Sequence, residues 1–255
     1  MVPAGPLSIA PLQQGAVDEA ARLLARSMRD TPLHRRVFGS DEARLEPLLA
    51  AAFARLLGRQ LRVGCVLAAR EGDRLVGVAA MVPPGHCRPP LREAGALLAV
   101  LARGRALHRL PRIGRWLCTW ARHDPRSAHW HMGPAAVDRA HQGRGVGTAL
   151  MAALCERLDR LQGVGYLETD KPGNVRLYRR GGFEVVARRR VLGVDNWFMQ
   201  RRPSGPVPDP HSIAGLRSGD SVDRSTPDSI ATMRSSTRAR RSASTGILSW
   251  SSGRR

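Results

Sequence analysis

Lysine is all but missing from this chain: Lys171 is the single one among 255 residues. The formal charge of +20 therefore rests on arginine. Such a surplus attracts polyanions or a phosphate-rich cofactor, but arginine spread along helices also makes ordinary solvated faces. Aromatic residues are scarce too, at 4%, so a core must rest on Leu, Val and Ala. Their scarcity argues against a basic surface interleaved with aromatics, and no helix-turn-helix or zinc-finger spacing occurs. Specific nucleic-acid binding is not expected. The four cysteines, Cys65, Cys87, Cys118 and Cys155, never form a CxxC pair and read as free thiols of a reducing compartment. The first dozen residues are too short and proline-broken for a signal peptide. No apolar run reaches the roughly 18 residues that span a bilayer. A soluble, cytoplasmic protein without membrane contact is the expectation.

What is present is a regular alternation of helical and strand patterns as far as Arg202. Leu7–Leu12 reads as a strand and Gln14–Met28 as a helix with Val17, Ala20, Ala21, Leu24 and Met28 on one stripe. A second helix is predicted from Asp41 to about Leu57, capped by Ser40 or Asp41. Arg62–Arg70 and Leu75–Val82 are strands joined at Glu71-Gly72-Asp73, a hairpin signal. Leu91–Arg122 is an amphipathic helical insertion broken near Pro111. Ala128–Val137 is a strand with a bulge or edge at Gly133-Pro134, because proline removes a ladder hydrogen bond. A helix follows from Gly145 to Leu161. Tyr166–Thr169 is a strand, Asn174–Arg180 a short helix, and Phe183–Val191 and Val194–Gln200 are closing strands. Residues 1–202 thus form one domain, and 203–255, rich in Ser, Arg and Pro without apolar periodicity, read as a disordered tail.

The stretch with chemical content is Gln142-Gly143-Arg144-Gly145-Val146-Gly147-Thr148, between a strand and a helix. Glycines let backbone N–H groups approach an anion closely. The helix start adds unpaired donors and partial positive charge, and Arg144 adds a charge-assisted contact. A pyrophosphate suits that arrangement. The dinucleotide pattern GxGxxG fails, since the spacing is GxGxG, and the Gly-Lys-Ser/Thr ending of a nucleotide P-loop is missing.

Gln142 to Gly147 resembles the Q/R-x-x-G-x-G/A signature of the GNAT superfamily of N-acetyltransferases. Ala135-Ala136-Val137-Asp138 is similar to that family's fourth strand, and Leu177-Tyr178 with Gly182-Phe183 to its LY…GF segment. The resemblance implies an α+β fold, with a mixed, mostly antiparallel central sheet of six to seven strands flanked by helices and a helical insertion before the fourth strand. It implies acetyl-CoA as co-substrate, the pantetheine arm along the backbone of Ala135, Ala136 and Val137, and the pyrophosphate on Gly143 to Thr148. Tyr178 matches the tyrosine that protonates the departing thiolate. The other partner would be a primary amine of a small molecule or peptide, and the protein a monomer or homodimer. A non-catalytic acyl-CoA-binding module is the alternative.

Two departures stand out. Where the family often has a cofactor-touching asparagine, the chain has Lys171; Asn174 is close by and either starts the short helix or touches cofactor. The base is open as well. Glu168 lies on the fifth strand with its direction undetermined. His129 and His131 share a face and could shuttle protons near neutral pH, and a metal is set aside for want of a third ligand.

Overall fold

The computed structural model describes residues 6–88 and 90–204; the tail expected to be disordered lies, from 205 onward, outside them. Seven strands form one sheet in the order β1-β2-β3-β4-β5-β7-β6. They are β1 (Leu7–Pro11), β2 (Cys65–Glu71), β3 (Arg74–Val82), β4 (Trp130–Val137), β5 (Gly165–Thr169), β6 (Glu184–Val191) and β7 (Val194–Arg201). Every neighbouring pair is antiparallel except β4 and β5. The helices are α1 (Val17–Met28), α2 (Pro32–Phe38), α3 (Glu42–Val63), α4 (Leu91–Arg103), α5 (Leu110–His123), α6 (Val146–Arg160) and α7 (Pro172–Arg180). The expected fold class is the one observed.

β3 is buried from Leu75 to Val82 without alternation, as a strand covered on both faces must be. One face carries α6 and α7: Leu150, Leu154 and Tyr178 pack with Val76, Met132 and Leu167. The other carries α1 and α3, whose Leu24, Leu49, Phe53 and Leu57 meet Val66, Val78 and Ala80. Gly77 sets how closely α6 lies on the sheet. A Cβ there would stand 2.9 Å from Leu150 Cδ1 and 3.0 Å from Val146 Cγ1, so any side chain would have to displace these buried groups of α6.

Four boundaries differ from the sequence reading. α2 was not anticipated: its seven residues, PLHRRVF, are too few to show a period, and Pro32 at its start is the visible signal. α3 begins as expected, with the Asp41 carboxylate accepting from Arg44 N, but runs through Pro47 to Val63. β2 consequently starts at Cys65 and not Arg62. The insertion breaks at Gly104–Arg105, where Arg105 has φ 51°, and not at Pro111, which sits in the first turn of α5 where a missing N–H costs nothing. The expected bulge is present. Ala79 pairs with Ala135 and Met81 with Met132, so β4 carries an extra residue around the cis Gly133–Pro134 peptide.

The insertion is tied to the sheet by buried polar contacts. Arg59 on α3, 7% exposed, donates to the carbonyls of His86 (2.6 Å) and Arg88 (3.2 Å) and pairs with Glu93 at 2.9 Å. Trp120 Nε1 on α5 donates to Asn196 Oδ1 on β7 at 3.1 Å.

Candidate active site

The parallel junction of β4 and β5 is the place where the sheet opens. Only two pairs join the strands, Trp130 with Gly165 and His131 with Tyr166. On its other edge β4 stays paired with β3 as far as Val137 and Gly77. The β5-facing backbone of residues 133–137 is thus free of its in-sheet partner. Gly133 O accepts from Gln60 Nε2 at 2.7 Å, and Val137 O from Ser27 Oγ and Gln142 Nε2 at 3.1 Å each. The remaining groups, in a sheet interior, need another partner. Ala135, Ala136 and Val137 lie in this stretch, Ala135 and Val137 packed toward α6 and Ala136 toward α1 and α3.

β4 then leads into the glycine loop. Asp138 starts a short turn, accepting from Ala140 N at 3.0 Å, while its own amide donates to Val76 O at 2.8 Å. Desolvation opposes its ionisation, yet the Ala140 amide, His141 and Arg74 hold its carboxyl below the usual range. The buried His141 lies 3.6 Å from Glu71 and 3.5 Å from Asp138, anchoring the loop to the β2–β3 hairpin. Gln142 turns back and donates to Val137 O at 3.1 Å. It braces the loop, so its amide is committed to the protein itself.

Gly143 and Gly145 have φ of 77° and 87°, where a Cβ costs roughly 1–2 kcal/mol. A Cβ on either would meet nothing within 4 Å, so an open cradle surrounds them. Gly145 is the N-cap of α6, and helical hydrogen bonding begins with Ala149 N donating to Gly145 O at 2.9 Å. The amides of Val146, Gly147 and Thr148 lie ahead of that ladder. Arg144 is exposed, 3.9 Å from Glu71. Backbone donors, a helix dipole and an adjacent guanidinium in one open loop fit a pyrophosphate.

Tyr178 lies on α7, buried against Phe183 with ring centroids 6.2 Å apart. Burial, and then the nearby Asp170 charge, push its pKa up to about 12, so the phenol keeps its proton at neutral pH. Asn174 donates from Nδ2 to Thr169 Oγ1 at 3.2 Å. It starts α7 and ties it to the end of β5. Lys171 pairs with Asp30 of the α1–α2 link at 3.5 Å.

On the face of β4 and β5 away from α6 the structure resolves Glu168 and joins what the sequence left apart. Glu168 is buried with its carboxylate 3.0 Å from His131 Nε2. Burial opposes a charge on His131, but Glu168 and the neighbouring Cys87 push its pKa up to about 10. Burial also raises the Cys87 thiol, and the adjacent His129 and His131 rings outweigh it and bring the pKa down to about 7. Asp124 reaches His129 Nε2 at 3.0 Å. Cys87 and Asp124 add a third and a fourth donor beside His129 and His131, so a metal is no longer set aside for want of ligands. Nothing in the sequence pointed to either, because both come from loops.

A seven-stranded mixed sheet that parts between its fourth and fifth strands, with a glycine loop at the helix between them, is an architecture with a place for an extended, pyrophosphate-bearing cofactor. The chain belongs to the acetyltransferase (GNAT) family, whose pattern it matches over residues 32–183, more than half its length. Acetyl-CoA is the acyl donor of that family. Among solved structures it is similar to histone acetyltransferase HPA2 and related acetyltransferase from Corynebacterium glutamicum, with TM-score 0.61 and 21% identity over 79% of this chain and 98% of that one. It is also similar to the polyamine N-acetyltransferase of Drosophila melanogaster, with TM-score 0.52 and 16% identity over 77% of this chain and 100% of that one. At such identities the likeness is one of fold. Among the described residues no helix is long and apolar enough to cross a membrane.

Proposed function

We propose that the chain transfers an acetyl group from acetyl-CoA directly to a primary amine of a small molecule or peptide. The observation that carries this reading is the end of β4–β5 pairing after His131 and Tyr166, in line with the left-handed glycines that open α6. In this reading the pantetheine amides take the place of the missing strand partner along Ala135, Ala136 and Val137. The amides of Gly143 to Thr148, with Arg144 beside them, hold the pyrophosphate. Gln142 and Asn174 act by holding the loop and the start of α7 in place.

The amine nitrogen attacks the thioester carbonyl carbon, and the β4 backbone donors stabilise the oxyanion that forms. As the carbon–sulfur bond breaks, the Tyr178 hydroxyl gives its proton to the thiolate. The extra proton on the attacking nitrogen passes to water, and the Tyr178 phenolate regains a proton from solvent. A phenol with a pKa of about 12 starts each cycle protonated, as a general acid must. The test is release of coenzyme A thiol by the full chain over a panel of small primary amines and peptide N-termini. The expected result is release above the amine-free background for at least one class, with a matching gain of one acetyl mass on the acceptor. Acetyl-CoA binding without turnover on any of them would favour a non-catalytic binding module.

A further inference from the structure

Cys87, Asp124, His129 and His131 come from the β3–α4 link, the residue after α5 and the start of β4, yet their donor atoms all lie within 4.8 Å of one another. Each histidine already has one ring nitrogen committed to a group that can only accept. His129 Nδ1 is 2.9 Å from the Ser127 carbonyl, so Nδ1 carries the hydrogen. The remaining Nε2 faces Cys87 Sγ at 3.5 Å and Asp124 Oδ1 at 3.0 Å. His131 Nε2 is 3.0 Å from the Glu168 carboxylate, so a hydrogen stays there and Nδ1 is the ring nitrogen left to the cluster. That Nδ1 is buried without a hydrogen-bond partner. Asp124 Oδ1 is likewise buried, and its approach to His129 lacks the alignment of a hydrogen bond. Buried donor atoms that face one another without hydrogen-bond partners suit a cation, which takes the place of the proton that His131 Nδ1 carries while the ring is charged.

We propose that Cys87, Asp124, His129 and His131 form a four-coordinate zinc site that braces the helical insertion against the sheet. Thiolate, imidazole and carboxylate are the ligand types zinc takes. With bonds of about 2.0–2.3 Å, tetrahedral ligand atoms stand roughly 3.3–3.8 Å apart, so the four donors need shifts of about an ångström or less, the wider pairs closing and the His129–Asp124 pair opening slightly. One thiolate, one carboxylate and two neutral imidazoles balance the dication, which a buried site requires. The outer contacts have the form that fixes metal-bound histidines, one ring N–H on a backbone carbonyl and the other on a carboxylate.

The ligands are also held in place from outside the cluster. Arg59 grips the carbonyls on either side of Cys87, and Tyr166 OH donates to His123 O, next to Asp124, at 3.0 Å. On binding, the Cys87 thiol and any protonated imidazole release their protons to solvent as the metal bonds form. The site is structural. It supplies no step of acetyl transfer and does not rest on that reading.

Cobalt(II) titration into the full, chelator-treated chain tests the proposal, since cobalt reports thiolate ligation and tetrahedral geometry by absorbance. The expected result is one equivalent bound with a sulfur-to-cobalt charge-transfer band, displaced by zinc, and a melting temperature raised by zinc. Cys87→Ser should lose that band, and His129→Ala or Asp124→Asn should weaken zinc at least tenfold. Cys118→Ser, at an exposed position on α5, should leave all of this unchanged. No stoichiometric cobalt binding by the wild-type chain would overturn the proposal whatever the variants do. So would an unchanged band in Cys87→Ser, which would put the metal on another cysteine.

Discussion

Gly145→Glu should fold and yet lose acetyl-CoA. The position has φ of 87°, so a side chain there costs about 1–2 kcal/mol in backbone strain. A carboxylate at a helix N-terminus returns roughly 0.3–1 kcal/mol, and nothing lies within 4 Å of the added Cβ. The unliganded variant should therefore be destabilised by only about 1 kcal/mol. Against a pyrophosphate the same carboxylate is a like charge on the donors meant for the anion, a juxtaposition that costs several kcal/mol. Acetyl-CoA affinity should fall at least about a hundredfold. Thermal unfolding reads this directly. At a concentration of 100 times its Kd, acetyl-CoA stabilises the wild-type chain by about 2.7 kcal/mol, and at that concentration the variant should show almost none. Gly145→Ala, which adds the strain without the charge, should fall between them. Equal shifts in all three proteins would remove the pyrophosphate from this loop.

Tyr178→Phe should separate chemistry from binding. Phenylalanine keeps the ring that packs on Phe183 and leaves the buried contacts in place, so stability should change by less than about 1 kcal/mol. What disappears is the proton for the departing thiolate, and general acid catalysis contributes about 10²–10⁴-fold. On an identified amine, kcat should drop by about two orders of magnitude, with KM for acetyl-CoA nearly unchanged. Wild-type turnover in the variant would show that Tyr178 is a core residue only, which its burial alone would also explain.

The parts of this site that the sequence made readable are those confined to one stretch of chain. The glycine loop, its place at a helix start and the LY…GF segment needed only local spacing and turn chemistry. The bulge at Gly133-Pro134 was legible because proline removes a ladder donor, but its consequence was not. Met132 and Ala135 both pack toward α6, an odd separation on one face, so simple alternation fails across the bulge. Whether Glu168 met His131 or the α6 side depended on how β5 registers against that irregular strand. Cys87 and Asp124 lie in links with no period to read, and Cys87 meets His129 across 42 residues of chain. The unanticipated α2 and the misplaced break in the insertion have a shared cause. Short helices and their joints are set by tertiary packing, here the cluster of Leu33, Val37, Leu101 and Ile113, more than by their own pattern.

Backbone hydrogen exchange of the full chain with and without acetyl-CoA tests the central claim most directly. The opening between β4 and β5 predicts slowed exchange concentrated at residues 133–137 and at the amides of 143–148, because those donors gain partners when the ligand binds. Slowing confined to α1 and α3, or no change at saturating acetyl-CoA, would contradict it.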